Sequence, residues 1–457
     1  MQQAFVLFEL LNHMVLVAKE AKARGHRIVA LNQDPLRESG PFGVPEGLVD
    51  ELIPVDSWSD QEQIGKLVRE VHERHDVVGT YAAFEATLPY EAALRSLAGL
   101  PNNGETNLRA VLDKARIRTA LRQAGLSELR SVTLSEALEW REWPGWGGAV
   151  LKPANGTGSS LCFRVSSLAT LHEAAARARA AAVVNPLMKD YIVGHGEFVL
   201  EQEAAGELLS VESLVDRGEV HVLGLTGRYV LASDPVVEMG LQFPYHHPRS
   251  AEIIEKAKAI HRALGITHGP TQIEVMVPVT GPIELIDFNV RSAGTASVVS
   301  FGEAFGTRHE TVLTDLACGL TSDLSFLGRP TRHAVEMLLL PPPEATHMAP
   351  VVFPGAVTCP RLAKPLGQPL SGRADQLDAV AMFVISADTA AEVHAAGLAA
   401  RRATTFNGVA LGDNPNNVLH YSEHLAEDLS VPGALGEDRG DRVGQTGVET
   451  ESARPHR

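Results

Sequence analysis

Apolar and polar positions recur with two different periods along this chain. Between residues 4 and 84, short apolar runs (4–8, 27–31 and 76–84) are separated by segments whose apolar residues fall at helical spacing (14–24 and 61–74), with Gly25 as a stop. Strands and helices in alternation predict a small βαβ domain with a parallel sheet. A dinucleotide fold would need GxGxxG after the first strand. Here Glu9-Leu10-Leu11-Asn12-His13 follows it, and without those glycines the backbone cannot close on a pyrophosphate. A dehydrogenase is therefore set aside. Leu108, Val111, Leu112, Ala115, Leu121 and Ala124 predict one helix over 107–124, ended by Gly125. Residues 126–205 predict a small lobe of strands with an Ala-rich helix at 168–182, and Trp140, Trp143 and Trp146 predict a turn with packed rings. A further segment ends with a helix at 390–402. From 427 the chain is polar, Gly-rich and charged, too poor in apolar surface to order itself. The expected organisation is a first domain at 1–105, a central region at 106–325 with its small lobe at 126–205, a C-terminal α+β segment at 326–425 and a disordered tail at 426–457.

The most informative alternation lies at 271–291, TQIEVMVPVTGPIELIDFNVR. Gln272, Glu274 and Met276 alternate with Ile273, Val275 and Val277, and Asp287, Asn289 and Arg291 with Ile286, Phe288 and Val290. A period of two places each set on one face of a strand. A symmetric hairpin centred on Thr280-Gly281 sets Glu274 across from Asp287 and Gln272 across from Asn289. Facing Cβ atoms in such pairs stand about 4.5–5.5 Å apart, where like charges destabilise. A divalent cation removes that penalty, and Mg²⁺ takes oxygen ligands, typically one or two carboxylates plus substrate phosphates. The hairpin is a candidate Mg-nucleotide platform, with Arg291 at its end for a phosphate or carboxylate. A solvent-facing strand face that carries acids is the alternative.

Composition narrows the classes. The 457 residues suffice for roughly three domains of about 150 residues. A net charge of −16 argues against nucleic-acid binding, which needs a basic surface, but not against a nucleotide site served by a few local cations. Cys162, Cys318 and Cys359 have no zinc spacing and fit a reducing cytoplasm. The apolar start is interrupted by Glu9 and His13 and lacks a basic lead, so neither a signal peptide nor a membrane span is expected. His246 and His247 have no third ligand nearby in sequence and are expected to be packed or exposed side chains.

Two more segments carry candidate chemistry. In Ala149-Val150-Leu151-Lys152-Pro153-Ala154-Asn155-Gly156-Thr157-Gly158-Ser159-Ser160 a buried strand delivers a lysine and then a loop of small residues. Backbone N–H groups of such a loop can wrap phosphate oxygens, and the lysine adds a point charge. A plain surface turn is the alternative. In Phe198-Val199-Leu200-Glu201-Gln202-Glu203-Ala204-Ala205-Gly206-Glu207 an apolar strand runs into polar backbone, a hinge able to hydrogen-bond an adenine edge, as many loops could.

Lysine helix, lysine plus Gly-rich loop, hinge and acidic hairpin follow in that order over about residues 1–420. In this order the chain resembles the ATP-grasp superfamily, and within it stand-alone carboxylate–amine ligases of the L-amino-acid ligase kind. The resemblance extends to Thr80-Tyr81-Ala82-Ala83-Phe84-Glu85, Leu97-Ala98-Gly99-Leu100-Pro101, Asp113-Lys114, Gln123-Ala124-Gly125-Leu126 and Glu238-Met239-Gly240-Leu241-Gln242-Phe243-Pro244. It implies an α/β ATP-grasp fold with an N-terminal βαβ domain, a β-rich lid lobe and a C-terminal α+β segment. It also implies that Lys114 and Lys152 bind phosphate, that Gly156, Gly158 and Ser159 form a mobile phosphate loop, and that Glu201 and Gln202 form the adenine hinge. Glu274, Asp287 and Asn289 match the Mg²⁺ ligands, and Arg291 the arginine near the transferred phosphate. Glu85, Glu212 and Gly294 fall on the substrate side with Arg291.

Two departures stand out. The family usually has Glu where Asp287 stands, one methylene longer. Its ribose-binding acid would fall on Leu208, leaving Glu207 as a substitute one residue away. The implied reaction is ATP-dependent activation of a carboxylate as acyl phosphate and its joining to an amine, foremost an amino acid, with ATP and two Mg²⁺ (Mn²⁺ as a substitute). The implied partners are a small-molecule carboxylate and amine, without nucleic acid or membrane, in a homodimer by default. The alternatives are a ligase that loads a carrier-protein thiol or amine, and a nucleotide-binding protein with weakened catalysis.

Overall fold

The computed structural model describes residues 3–36, 43–156, 161–180, 197–294, 296–372, 374, 376–412 and 414–426. The expected loop positions Gly158 and Ser159 and the tail from 427 lie outside them. At the N-terminus β1 (Gln3–Phe8), α1 (Met14–Ala23), β2 (Arg27–Asn32), β3 (Glu51–Pro54), α2 (Gln61–Arg74), β4 (Asp76–Ala82) and α3 (Leu88–Leu97) build a parallel sheet of order β3-β2-β1-β4. From Ala4 to Phe8 the first strand is fully buried, as an all-apolar run covered on both faces must be. Strand order reverses between β1 and β4, the kind of switch point beyond whose strand ends α/β sheets place ligands. Glu9, at φ 59°, ties the loops at this edge together by accepting from Gln33 N (2.8 Å), Asp34 N (3.0 Å) and Trp58 Nε1 (2.6 Å).

The single helix expected over 107–124 is two, α4 (Glu105–Val111) and α5 (Lys114–Gln123). Asp113 leaves helical geometry (φ −98°, ψ 109°) and accepts from Ala115 N and Arg116 N, which caps the second helix. Apolar periodicity runs on across this break, so only the cap betrays it. Lys114 thus opens a helix, where the backbone dipole disfavours a cation and favours an anion.

The small lobe holds β5 (Ser131–Thr133), α6 (Leu134–Leu138), β6 (Ala149–Pro153), β7 (Phe163–Val165), α7 (Leu168–Ala180) and β8 (Phe198–Gln202), with sheet order β5-β8-β6-β7. Its core is Leu134, Leu151, Leu171 and Leu200, against which the three tryptophans pack, Trp140 edge-on to Trp143 and Trp146 at 5.9 and 5.3 Å.

Next come β9 (Glu207–Asp216), β10 (Glu219–Leu231), β11 (Asp234–Tyr245), α8 (Ser250–Ala263), β12 (Gly269–Val277), β13 (Glu284–Asn289), α9 (Ser297–Phe305) and α10 (His309–Ala317). The chain ends with β14 (His333–Leu339), β15 (Val351–Val352), β16 (Thr358–Leu362), β17 (Ala381–Ala387), α11 (Ala390–Ala403), β18 (Thr405–Phe406), β19 (Val409–Ala410) and β20 (Leu419–Tyr421). One antiparallel sheet runs β13-β12-β9-β10-β11-β14-β17-β16, with β20 also on β10, so strands from both sides of residue 326 share it. Gly206, at φ +124°, joins the lobe to this sheet where a Cβ would stand 2.4 Å from the Pro278 nitrogen, so no other residue fits the turn. Among the described residues no helix is long and apolar enough to cross a membrane, and the three cysteines form no disulfide.

Three histidines are buried in this framework. Burial lowers His261 and His309 to about 4 and His268 to about 3. Their folded values lie below the ordinary 6.5, so the stability they permit is present above pH 6.5 and lost as pH falls towards 4. Each adds up to about 1.4 kcal/mol per pH unit to that slope. Urea midpoints measured from pH 7 to 4 should fall, and His309→Gln should flatten the fall; an unchanged slope would refute the assignment.

Candidate active site

Two lysines from different lobes meet at the end of the hairpin. Lys114 Nζ, at the start of α5, stands 3.1 Å from Asp287 Oδ1 and donates to Gly156 O at 3.0 Å. Burial works against its charge, but the Asp287 carboxylate more than offsets this and raises its pKa. Lys152 Nζ, on β6, donates to Glu201 Oε1 (2.8 Å) and to Ile286 O (3.0 Å). Glu201 also accepts from Arg118 Nε at 2.8 Å. Burial penalises the Glu201 charge, but the two cations outweigh it and lower its pKa. Arg118, itself buried, continues to Ser127 Oγ (2.7 Å) and Leu285 O (2.5 Å). A helix, the lobe and the hairpin are thereby joined through one guanidinium.

The hairpin has the expected register at its business end: Gln272 pairs with Asn289 and Glu274 with Asp287. It is not symmetric, however. Val275 pairs with Leu285, so Ile286 is an extra residue, a β-bulge. Its carbonyl is the one that Lys152 reaches, and the alternating pattern gave no sign of the shift. Burial, then the Glu238 and Asp287 carboxylates, push Glu274 up to about 7 against the pull of Arg228 and Arg291. Such crowding of carboxylates is what a divalent cation relieves. Asn289 commits its Nδ2 to Gln272 Oε1 (3.1 Å), so its carbonyl oxygen is the atom that could ligate a metal. Among the described residues no three His, Cys, Asp or Glu side chains form a ready-made metal cage. Two carboxylates plus an amide therefore suit Mg²⁺ completed by phosphate oxygens.

Arg291 donates Nε to Glu85 Oε1 at 2.6 Å, which carries the first-domain loop onto the hairpin. The two lysines, Glu274, Asp287, Asn289, Arg291 and Glu85 open on one cavity of about 970 Å³. Lys114, Lys152, Gly156, Glu201, Gln202, Glu274, Asp287, Asn289, Arg291, Glu85 and Gly294 line it. So do Leu11, Asn12 and His13, beyond the end of β1.

Two expected residues lie elsewhere. Glu207 does not line the cavity; its carboxylate accepts from Tyr245 Oη (2.6 Å) and Glu423 N (3.2 Å), with His247 Nε2 at 3.6 Å. Leu208 lines it instead, since neighbours in a strand face opposite ways. Glu212 is likewise set back from the cavity wall, beneath Ser210 Oγ (2.6 Å) and Thr226 Oγ1 (3.1 Å). For Glu201, the expected adenine contact is confined to backbone, because its side chain is taken by Lys152 and Arg118. Arg118, Arg228 and Glu336 were missed. Arg228 and Glu336 are charges inside otherwise apolar-patterned strands, a signal visible in sequence but without a partner to interpret it, whereas Arg118 is one of four basic residues in its helix and nothing local singles it out.

Residues 148–299 match a family described as the ATP-grasp domain. No curated protein matches the sequence. The fold is similar to L-amino acid ligase from Bacillus licheniformis (20% identity, 92% of this chain and 98% of that one, TM-score 0.73). It is also similar to N5-carboxyaminoimidazole ribonucleotide synthetase from Thermotoga maritima (17% identity, 90% and 100%, TM-score 0.62). A third likeness is to the biotin carboxylase domain of Hydrogenobacter thermophilus 2-oxoglutarate carboxylase, solved with MgADP and bicarbonate (14% identity, 88% and 90%, TM-score 0.63). The chain therefore has the ATP-grasp fold, and the resemblance read from its sequence holds at that level.

Removing Arg118 would leave Glu201 short of one buried cation. Arg118→Ala should cost roughly 3–5 kcal/mol, the range for breaking a buried ion pair from one side. Urea denaturation checks this, and a loss below 1 kcal/mol would mean the bridge is not structural.

Proposed function

We propose that the protein is an ADP-forming carbon–nitrogen ligase that activates a carboxylate with ATP as an acyl phosphate and joins it to an amine, foremost an amino acid. The observation that carries this reading is the convergence on one cavity of Lys114 and Lys152 from separate elements, the Glu274–Asp287–Asn289 set and Arg291. The kinship of fold with an L-amino acid ligase supports the same class.

In this reading the purine lies along residues 202–206 and the phosphates extend between the two lysines. Glu274, Asp287 and Asn289 would hold Mg²⁺, which would supply neutralisation of phosphate charge. Phosphoryl transfer of this type depends mostly on positioning and charge neutralisation. Lys152 is positioned by Glu201 and by the bulge carbonyl of Ile286, so its ammonium is fixed before nucleotide arrives. Arg291 stands at the far end of the hairpin, next to the cavity wall formed by the first domain. There it steadies the carboxylate that accepts the γ-phosphoryl group and then the acyl phosphate. Attack by the amine on the acyl carbon releases phosphate. The cavity must exclude water during this step, because an exposed acyl phosphate hydrolyses.

One observation favours a second reading, a nucleotide-binding protein with weakened catalysis. The acid available near Leu208 is turned away, since Glu207 is held by Tyr245. A coupled ADP assay over a panel of carboxylic acids and amines, with product masses, separates the two. Substrate-dependent ADP and an amide product are expected; nucleotide binding with no ADP for any pair would favour the second reading. Glu274→Ala and Lys152→Ala should each lower ADP release by at least about 100-fold, the scale for losing one group that stabilises transition-state charge, with an unchanged circular dichroism spectrum. Full activity in Glu274→Ala would remove the metal assignment.

A further inference from the structure

Arg228 has no part in the reading above, yet it lies beneath the cavity wall. It sits on β10, is 1% exposed, and projects to the same side of the sheet as Glu274. One terminal nitrogen pairs with Glu238, a cavity-lining carboxylate on β11. The other donates to Ser210 Oγ at 2.8 Å and stands 3.7 Å from Glu274 Oε1. The two arms therefore bracket two carboxylates with different places in the cavity, Glu274 beside Asp287 and Glu238 on the neighbouring strand pair.

The backbone of Arg228 is itself held by a distant part of the chain. Its N–H donates to Ser422 Oγ at 2.8 Å and its carbonyl accepts from Ser422 N at 3.0 Å. Just before this, β20 pairs with β10 at Tyr229, Val230 and Leu231. Just after it, buried Leu425 lies where a Cβ on Gly227 would be, 2.4 Å from its Cδ2, and Gln242 Nε2 donates to Leu425 O at 2.7 Å. Residues 419–426 thus form a strap on β10 that clamps the peptide units on either side of Arg228.

We propose that Arg228 is a positioning residue, which orients the carboxylates of Glu274 and Glu238 through its two-armed guanidinium and is held in register by the C-terminal strap at Ser422. The inference rests on the metal site proposed above. A forked guanidinium fixes direction as well as charge, whereas an ammonium supplies charge alone. Orientation and charge are therefore separable by substitution. If Arg228 acted only by its charge, Lys would replace it fully, and Gln would strengthen cation binding by leaving more negative charge near the site. If it orients, both substitutions weaken cation binding.

The test is Mn²⁺ affinity in the presence of ADP, followed by the electron paramagnetic resonance signal of free Mn²⁺, in the full chain. Arg228→Lys and Arg228→Gln are expected to weaken Mn²⁺ binding about 5-fold and at least about 10-fold, and Ser422→Ala about 2-fold. Thermal melts accompany each variant, since a purely structural role lowers the midpoint without moving the Mn²⁺ affinity of the folded protein. Wild-type affinity in Arg228→Lys, or tighter binding in Arg228→Gln, overturns the positioning role. If Arg228→Gln does not fold, Arg228→Lys decides alone, and wild-type affinity there overturns the positioning role. Absence of Mn²⁺–ADP binding by the wild-type protein overturns the proposed metal site as well, a distinguishable failure.

Discussion

The buried bridge Lys152–Glu201–Arg118 is the interaction on which the rest of the site depends. Glu201 belongs to the small lobe, Arg118 to the helix that begins with Lys114, and the main-chain acceptors Leu285 and Ile286 to the acidic hairpin. Burying a carboxylate without a partner is prohibitive, and burying it between two cations is tolerable only when all three are held in place. The bridge therefore does not add much net stability by itself. What it imposes is geometry: lobe, helix and hairpin cannot shift relative to one another without exposing or orphaning a charge. The strand bulge at Ile286 belongs to the same constraint, because it turns a carbonyl towards the lysine that the lobe delivers.

A second constraint is the accumulation of negative charge on one face of the large sheet. Glu212, Glu238, Glu274 and Glu336 are all set in or near the cavity wall, and burial raises the pKa of Glu212, Glu238 and Glu274. Arg228 and Arg291 are the counterweights, and each is paired: Arg228 with Glu238 and Glu274, Arg291 with Glu85. The fold thus supplies a face short of positive charge beside the two lysines. A divalent cation would offset that deficit, as the proposed metal site requires. The first domain closes the other wall at the switch point of its parallel sheet, through Glu85 and the loop after β1.

Alternating patterns were enough to locate β12 and β13, the pairing of Glu274 with Asp287 and the parallel sheet at the N-terminus. These are local or depend on register across one turn, and a strand's period of two leaves little freedom there. The break at Asp113 was written in the sequence as an Asp cap, yet it was masked by continuous apolar spacing.

Which side of a strand meets which neighbour was decided by tertiary structure alone. Glu207 and Leu208 are adjacent in sequence, and only the docking of β11 and the C-terminal strap sends the carboxylate to Tyr245 and the leucine to the cavity. Arg118, Arg228 and Glu336 take their meaning from partners brought to them by the fold, 9 to 167 residues away for the side chains of the two arginines, with Ala296 N–H among the partners of the glutamate. Residue type and period thus determined that this chain carries a lysine-and-carboxylate site on an α/β scaffold. The long-range burial of charge, which must find its partner wherever the fold brings one, decided how that site is held.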